Sequence, residues 1–343
     1  IVLASLPLAA FLAWMLMSPG NETPSPSANG NGNSSNQTAN GIGNAANGGS
    51  TNGNAGGKLF MYCAAGMTLP VEAATKNFEA ETGISVQLQF GGSGTLLSNV
   101  EIAKRGDLYL AADISYIEIA RKKGLLVESL PLARFKPVIA VQKGNPKNIR
   151  SIKDLLREDV TFAIANPGAA SIGRVTKKVL TKTGEWKQIE AAVKVTKATV
   201  NDIATDIVLG TVDAGIVWDA IVKQSSDELE MVTTEPFDAA EKEITAGVLK
   251  TCKNPTAALK YLRYLQAPDK GQIEFGRYGY KLIGGDAWAD SPTLVLFSGG
   301  VNRLAIQDTI SRFQRREGVM VNVVYNGCGI LVGEMKSNNV PDV

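Results

Sequence analysis

The stretch that decides the fold is Phe90-Gly91-Gly92-Ser93-Gly94-Thr95-Leu96-Leu97. Ahead of it, Ile84-Ser85-Val86-Gln87-Leu88-Gln89-Phe90 alternates apolar and polar residues as a half-buried strand does. Behind it, apolar residues recur at helical spacing through Ala103. The glycines therefore mark the point where a strand becomes a helix. The first turn of a helix has backbone N–H groups without partners and carries the positive end of the macrodipole, so such a junction suits an anion. Gly91, Gly92 and Gly94 are expected to let a ligand approach the backbone, and Ser93 adds a hydroxyl donor. Neither familiar phosphate motif fits: there is no G-x-x-x-x-G-K-[ST], and Leu97 stands where the last glycine of G-x-G-x-x-G would be. A single turn of this kind serves equally as a plain helix cap, so a ligand site requires further turns like it.

Outward from this turn, Lys58 onward alternates strand and helix. Leu59–Cys63, Ile84–Phe90 and Leu108–Ala111 read as strands, and 71–81, 96–103 and 114–122 as helices. That alternation implies parallel strands with helices on both faces, and ligands in such sheets bind beyond the carboxyl ends of the strands. An apolar run, Phe135–Val141, enters a second unit, with a helix near 152–156, a strand over 160–165 and the turn Asn166-Pro167-Gly168-Ala169-Ala170-Ser171. Helical runs follow at 172–180 and 203–209, then a strand at Ala214–Trp218. A further apolar run at 244–249 and helices over 256–265 and 270–278 complete the domain. Two α/β units joined by linking strands predict two lobes with a cleft between them. Ser171 is a second helix start after a strand, and Val200-Asn201 is a third.

Composition narrows the chemistry. The chain has 343 residues, enough for two domains, a net charge of +2 and no histidine. The charge provides no electrostatic hold on nucleic acid. Without histidine, Ser-His-Asp and Cys-His catalysis, histidine zinc sites and histidine pH switching are excluded. Cys63, Cys252 and Cys328 lie far apart with no C-x-x-C, so each reads as a small buried residue, and a Cys63–Cys252 pairing stays open. No paired carboxylates and no cofactor fingerprint appear, and an enzyme is the least supported class.

Residues 1–17 are apolar, as a signal-peptide core or membrane span is, and no small-residue cleavage site is visible, so an uncleaved anchor is expected. Residues 18–57 are almost wholly Asn, Gly, Ser, Thr, Ala and Pro. They cannot bury enough apolar surface to fold and read as a tether with a span of roughly 35 Å. Together the two segments predict an extracytoplasmic, membrane-tethered domain. At the other end, Phe313, Gly318 and Tyr325 repeat the spacing of Phe78, Gly83 and Phe90. Residues 291–343 are therefore expected to be a truncated second copy, in which Cys328 replaces Ser93, within a longer tandem protein.

The folded part resembles the extracytoplasmic molybdate-binding proteins of ABC transporters, in the type II periplasmic binding-protein class. The likeness runs from Lys58 to about Gly285. It rests on Tyr62-Cys-Ala-Ala-Gly66, Phe90-Gly-Gly-Ser-Gly-Thr95, Gly106-Asp-Leu-Tyr-Leu-Ala-Ala-Asp113, Asn166-Pro-Gly168, Asp213-Ala-Gly-Ile-Val-Trp218 and Phe275-Gly-Arg-Tyr-Gly279. It implies an α/β, two-lobed fold with mixed, mainly parallel sheets and a hinge. Lobe 1 would take about 58–136 and 238–290, lobe 2 about 137–237, and an incomplete repeat of lobe 1 would follow. It also implies a tetrahedral oxyanion held by neutral donors from both lobes, with no cofactor, no metal cation and an ABC permease as partner. Carried over by position, the family's first-turn serine falls on Gly66 and its second on Ser93. Backbone contacts fall on Ile172, beside Ser171, and on Val200, and a tyrosine hydroxyl falls on Trp218. Only Ser93 keeps its side chain; Gly66 retains its N–H, and Trp218 can donate through its indole nitrogen. Asp219, next to Trp218, would repel a dianion unless turned away, and Asp107 and Asp113 read as turn or cap residues. These departures widen the ligand from molybdate to tungstate or sulfate. A membrane-tethered sensor of the same fold, without transport, is the alternative function.

Overall fold

A computed structural model describes residues 57–343, so the apolar segment and nearly all of the tether lie outside the described residues. Strand β1 (Lys58–Ala64) and a 3-10 turn (Ala65–Met67) lead into helix α1 (Thr68–Thr82). Strand β2 (Ser85–Gly91) leads into α2 (Ser93–Ala103), and β3 (Leu108–Ala111) into α3 (Ile114–Lys122). Then come β4 (Leu126–Phe135), β5 (Pro137–Gln142), a 3-10 turn (Ile152–Leu156), β6 (Phe162–Ala165), α4 (Ser171–Thr183) and α5 (Trp186–Ala192). They are followed by β7 (Val195–Lys197), α6 (Val200–Val208), β8 (Ala214–Trp218), α7 (Asp219–Gln224), β9 (Leu229–Val232) and α8 (Glu235–Asp238). The chain returns through β10 (Lys242–Leu249), α9 (Pro255–Gln266), α10 (Gly271–Arg277) and β11 (Lys281–Leu282). It continues into β12 (Thr293–Gly299), a 3-10 turn (Gly300–Asn302), α11 (Arg303–Glu317), β13 (Met320–Asn326) and α12 (Cys328–Lys336).

Two sheets organise the lobes. One has the order β11-β4-β10-β3-β1-β2, the other β7-β6-β8-β5-β9. The expectation of mainly parallel sheets needs correction. Pairing is parallel where β1 meets β2 and β3 and where β6 meets β7 and β8, and antiparallel elsewhere in these two sheets. The antiparallel pairs arise where the linking strands enter. The apolar run 135–141 is not one strand but the end of β4 and the start of β5, broken at Lys136, where the chain passes from the first sheet to the second. The second passage runs from β9 through α8 to β10. Parallel pairing around β1 and β6 places the carboxyl ends of β1, β2, β6 and β8 at the face where the lobes meet, which is where helices begin.

Each lobe buries its own apolar face. Phe78 on α1 is fully buried and packs edge-on against Tyr261 at 4.9 Å and Tyr264 at 5.2 Å, on α9. Gly83 ends α1 in the left-handed region at φ 70°, which a glycine adopts without a Cβ penalty. Cys63 is buried and Cys252 half-buried, and both are free thiols, so the open pairing resolves as unpaired. Burial pushes both up, Cys252 to about 12.

Beyond Trp288 the chain forms a small parallel sheet of β12 and β13 with the same succession of elements as 58–103. The likeness extends to side chains. Asp107 donates its N–H to Phe60 O at 2.9 Å and accepts from Phe60 N at 2.8 Å, and Asp342 makes the same two bonds with Val295 at 2.9 and 2.8 Å. This unit sits on α9. Thr256 Oγ1 donates to the carbonyls of Arg315 and Arg316, Arg263 Nη1 donates to Glu317 O at 2.9 Å, and Arg316 pairs with Glu128. Its own apolar face is incompletely covered, with Phe313 43% exposed. Phe78→Ala is therefore expected to cost about 3–5 kcal/mol in chemical denaturation, and Phe313→Ala less than about 1 kcal/mol. Equal losses would show that Phe313 also lies in a packed core.

Candidate oxyanion site between the lobes

A helix start binds an anion only if its first-turn amides are not already satisfied, and a side-chain cap takes up some of them. Asp113 caps α3 by accepting from Ser115 N at 2.7 Å, and Asn254 caps α9 by accepting from Ala257 N at 3.1 Å. Neither cap residue lines the cavity described below. By contrast, α2 begins after Gly92, α4 after Ala170 and the Ala65–Met67 turn after Ala64, and none of these residues caps with a side chain. At α6, Thr199 Oγ1 accepts from Asp202 N at 3.2 Å, which leaves the amides of Val200 and Asn201 unused by the cap. Four starts with amides to spare thus meet at one place.

They enclose a cavity of about 20 Å³ lined by Ala64, Gly66, Gly92, Ser93, Ala112, Ser171, Ile172, Val200 and Trp218, among others, with no charged side chain. Ser93 and Ser171 are buried, 1% and 2% exposed, and Ser171 Oγ donates to Ser93 Oγ at 2.9 Å. Ser93 Oγ also accepts from Ala112 N at 3.2 Å, which leaves its own proton as the free donor. Two buried phenols fix the neighbouring peptides. Tyr109 O–H donates to Ser93 O at 2.8 Å, and Tyr280 O–H donates to Gly66 O. Burial pushes both phenols above the ordinary tyrosine range, so they remain neutral donors. Chemically the cavity offers donors from backbone, hydroxyl and indole, and no acid–base pair; among the described residues no group of three or more Asp, Glu or Cys could hold a metal ion.

The glycines of the Ser93 turn act differently from the sequence expectation. A Cβ on Gly92 would lie 2.4 Å from Ala169 O and one on Gly94 2.3 Å from Gly168 O, both backbone atoms of the opposite lobe. Gly94 N and Thr95 N donate to Ala169 O at 2.8 and 3.2 Å. Gly94 therefore serves lobe-to-lobe contact rather than ligand approach, while Gly91 and Gly92 line the cavity. Asn201 Nδ2 adds a bond to Ala65 O at 3.0 Å across the same seam. Asp219 is turned away, since its carboxylate accepts from Lys136 N and Ala220 N at 3.0 Å and from Lys223 Nζ at 3.2 Å. Asp219 N in turn donates to Lys136 O at 2.9 Å, so this acid ties β8 to the crossing between lobes.

All six residues singled out in the sequence, Gly66, Ser93, Ser171, Ile172, Val200 and Trp218, line this one cavity. Trp218 also packs on Phe135, with ring centroids 3.9 Å apart. Sequence reasoning missed Tyr280, Tyr109 and Thr199, and named Asn201 only as part of a helix start. A serine at 93 or 171 reads from sequence as a cap, whereas each is the first residue of its helix and the cap positions are Gly92 and Ala170.

Comparison with known proteins bears on the family and the fold. The sequence model of the bacterial extracellular solute-binding protein family matches residues 59–281. A putative binding protein of Haemophilus influenzae is 29% identical over 61% of this chain and 85% of its own length. The molybdate-binding protein ModA of Escherichia coli is 27% identical over 66% of this chain and 90% of its own. Among solved structures, the periplasmic molybdate-binding protein of Azotobacter vinelandii superposes with a TM-score of 0.57 at 18% identity, over 66% of this chain and all of that one. The likeness shows the fold: two lobes of the type II periplasmic binding-protein kind.

The seam makes a direct prediction. Gly94→Ala places a methyl on the Gly168 carbonyl and is expected to hold the lobes apart, raising the radius of gyration in small-angle scattering under conditions where the unmodified chain is closed. An unchanged scattering curve would show that the seam tolerates a Cβ.

Proposed function

Because the chain belongs to the bacterial extracellular solute-binding protein family, we propose that it captures a small tetrahedral oxyanion, molybdate or tungstate foremost, and presents it to an ABC permease. One observation carries this reading: uncapped helix starts from both lobes converge on a charge-free cavity of about 20 Å³. Organic ligands, sugar phosphates among them, need sites of roughly 300–1,000 Å³. A small inorganic ion needs no more than the space among these donors. The names of the relatives, molybdate-binding proteins of E. coli and A. vinelandii, support the same ligand class.

Neutral donors suffice. Each charge-assisted N–H to oxyanion bond contributes roughly 1.5–3 kcal/mol. Several reach micromolar affinity or tighter, about −8 kcal/mol, after the costs of association. Water leaves as the lobes close, and the closed form would be the signal to the permease. The apolar 1–17 and tether 18–57 would hold the domain outside the cytoplasmic membrane. The same logic makes 291–343 the opening part of a second such unit, a reading supported by its matching succession of elements and by the Asp342–Val295 bonds that match those of Asp107.

Thermal-shift titration with molybdate, tungstate, sulfate and phosphate tests the proposal. At 100 times its dissociation constant the preferred ion should add about 2.7 kcal/mol of stability. Ser93→Ala should weaken binding about 10- to 100-fold, the equivalent of one charge-assisted bond. No shift with any of the four ions would overturn the reading. Since no ionisable side chain lines the cavity, affinity for a fully ionised oxyanion should stay flat from about pH 6 to pH 9; a titration midpoint inside that window, measured by calorimetry, would contradict a neutral site.

A further inference from the structure

Away from the cleft, the end of lobe 1 at which β1, β2 and β3 begin is a basic surface. Hydrogen bonds draw four segments together there: Lys250 N donates to Leu125 O at 2.8 Å, Thr251 Oγ1 to Gly106 O at 2.7 Å, Leu249 N to Asp107 O at 2.8 Å and Asp107 N to Phe60 O at 2.9 Å. Lys104, Lys123 and Lys250 line one shallow hollow on this surface. Lys58, Arg105 and Lys253, all exposed, lie on the same segments. The acids of these segments are already engaged. Glu101 pairs with Lys123, and the Asp107 carboxylate accepts from Phe60 N at 2.8 Å. Lys58, Lys104, Arg105, Lys250 and Lys253 have no ion-pair partner among the described residues. Beside them, on the last turn of α2, Ile102 is 81% exposed.

Unpaired bases around an exposed isoleucine suit a surface that rests on anionic lipid. Each base gains from the negative surface potential within a Debye length, and an isolated apolar side chain seats among head groups. The course of the chain favours that partner. Residues 1–57 enter the lobe at this same end: Gly57 O accepts from Ser85 N at 3.1 Å, and a Cβ on Gly57 would lie 3.2 Å from Asn254 Nδ2, next to Lys253. A bilayer that holds residues 1–17 is therefore within reach of these bases. We propose that the basic end of lobe 1 docks on the anionic head groups of a phospholipid bilayer. Strand β1 runs from this end to the cavity, about 20 Å at roughly 3.3 Å per residue. The docked domain thus holds its cavity away from the bilayer and open to incoming solute, and a tether over 18–57 would let it leave the surface and turn over. The contact is electrostatic and reversible, and it is independent of which ion the cavity takes.

Lysine acetylation of the full chain, read residue by residue by mass spectrometry, tests this with vesicles of phosphatidylcholine alone and with vesicles that also contain phosphatidylglycerol. At low salt, Lys104, Lys250 and Lys253 are expected to react at least about threefold more slowly on the anionic vesicles than on the neutral ones. The protection should vanish at about 1 M salt, where the Debye length is about 3 Å. Lys178 and Lys182, on α4 of lobe 2, should react alike on both. The triple variant Lys104→Glu, Arg105→Glu, Lys250→Glu should lose the protection of Lys253 while keeping its melting temperature, because all three side chains are exposed. Equal rates at the basic end on both kinds of vesicle, equal protection of Lys178 and Lys182, or protection of Lys253 retained in a folded triple variant would overturn the proposal. So would protection by dissolved polyphosphate but not by the anionic vesicles, which would assign the surface to a soluble polyanion. Insertion of residues 1–17 would bring the chain to both kinds of vesicle alike and cannot by itself produce the difference.

Discussion

Backbone amides that are buried without acceptors are costly, and this chain places several of them at one point. The starts of α2 and α4 and the turn after β1 have no side-chain caps, yet closing the lobes removes them from water. Gly94 N and Thr95 N find an acceptor in Ala169 O, and an anion seated among the remaining amides, as proposed, would offset their cost. On the proposed reading no counter-charge is needed, because partial positive charges from three or four helix starts would sum over a few ångströms and the low dielectric of the closed cleft would strengthen each. Lysine or arginine in the lining would hold an anion more tightly and release it less readily.

Closing two lobes over so small a cavity requires their backbones to approach within contact distance. Gly92 and Gly94 make this geometrically feasible, because any side chain there would occupy the space of the Ala169 or Gly168 carbonyl. The chain passes between the lobes at Lys136, and Asp219 fastens β8 to that crossing through its backbone and carboxylate. Trp218, one residue before Asp219, thus belongs both to the cavity wall and to the linkage between lobes. The proposed ligand contact and the lobe crossing are thus separated by a single peptide bond.

Much of the first lobe was legible because local signals agreed with the global fold. Glycine punctuates the strand-to-helix turns at Ser93, and periodicity changes on either side of it. Strand β4 was not legible. Pro131 interrupts Leu126–Phe135, and the register with β10 shifts beside it, as expected for a proline tolerated at an irregularity. Helices α5 and α7 are too short for their period to stand out. Ser93, Ser171 and Val200 were read as helix starts after strands, Gly66, Ile172 and Trp218 came by family likeness, and their meeting point depends on both lobes. Nothing local distinguishes a glycine that admits a ligand from one that admits another lobe's carbonyl, which is why Gly94 was misread. Tyr280 is distant in sequence from the turn it supports and gave no signal.

The claim on which the account depends is that backbone amides of both lobes bind one ion together. A two-dimensional 1H–15N titration of the isotope-labelled chain with molybdate or tungstate measures this most directly. The account predicts large downfield shifts of the Gly66, Ser93, Ile172 and Val200 amide protons, together with the Trp218 indole N–H, all saturating along one binding curve. Shifts confined to surface lysines, or to the amides of a single lobe, would contradict it.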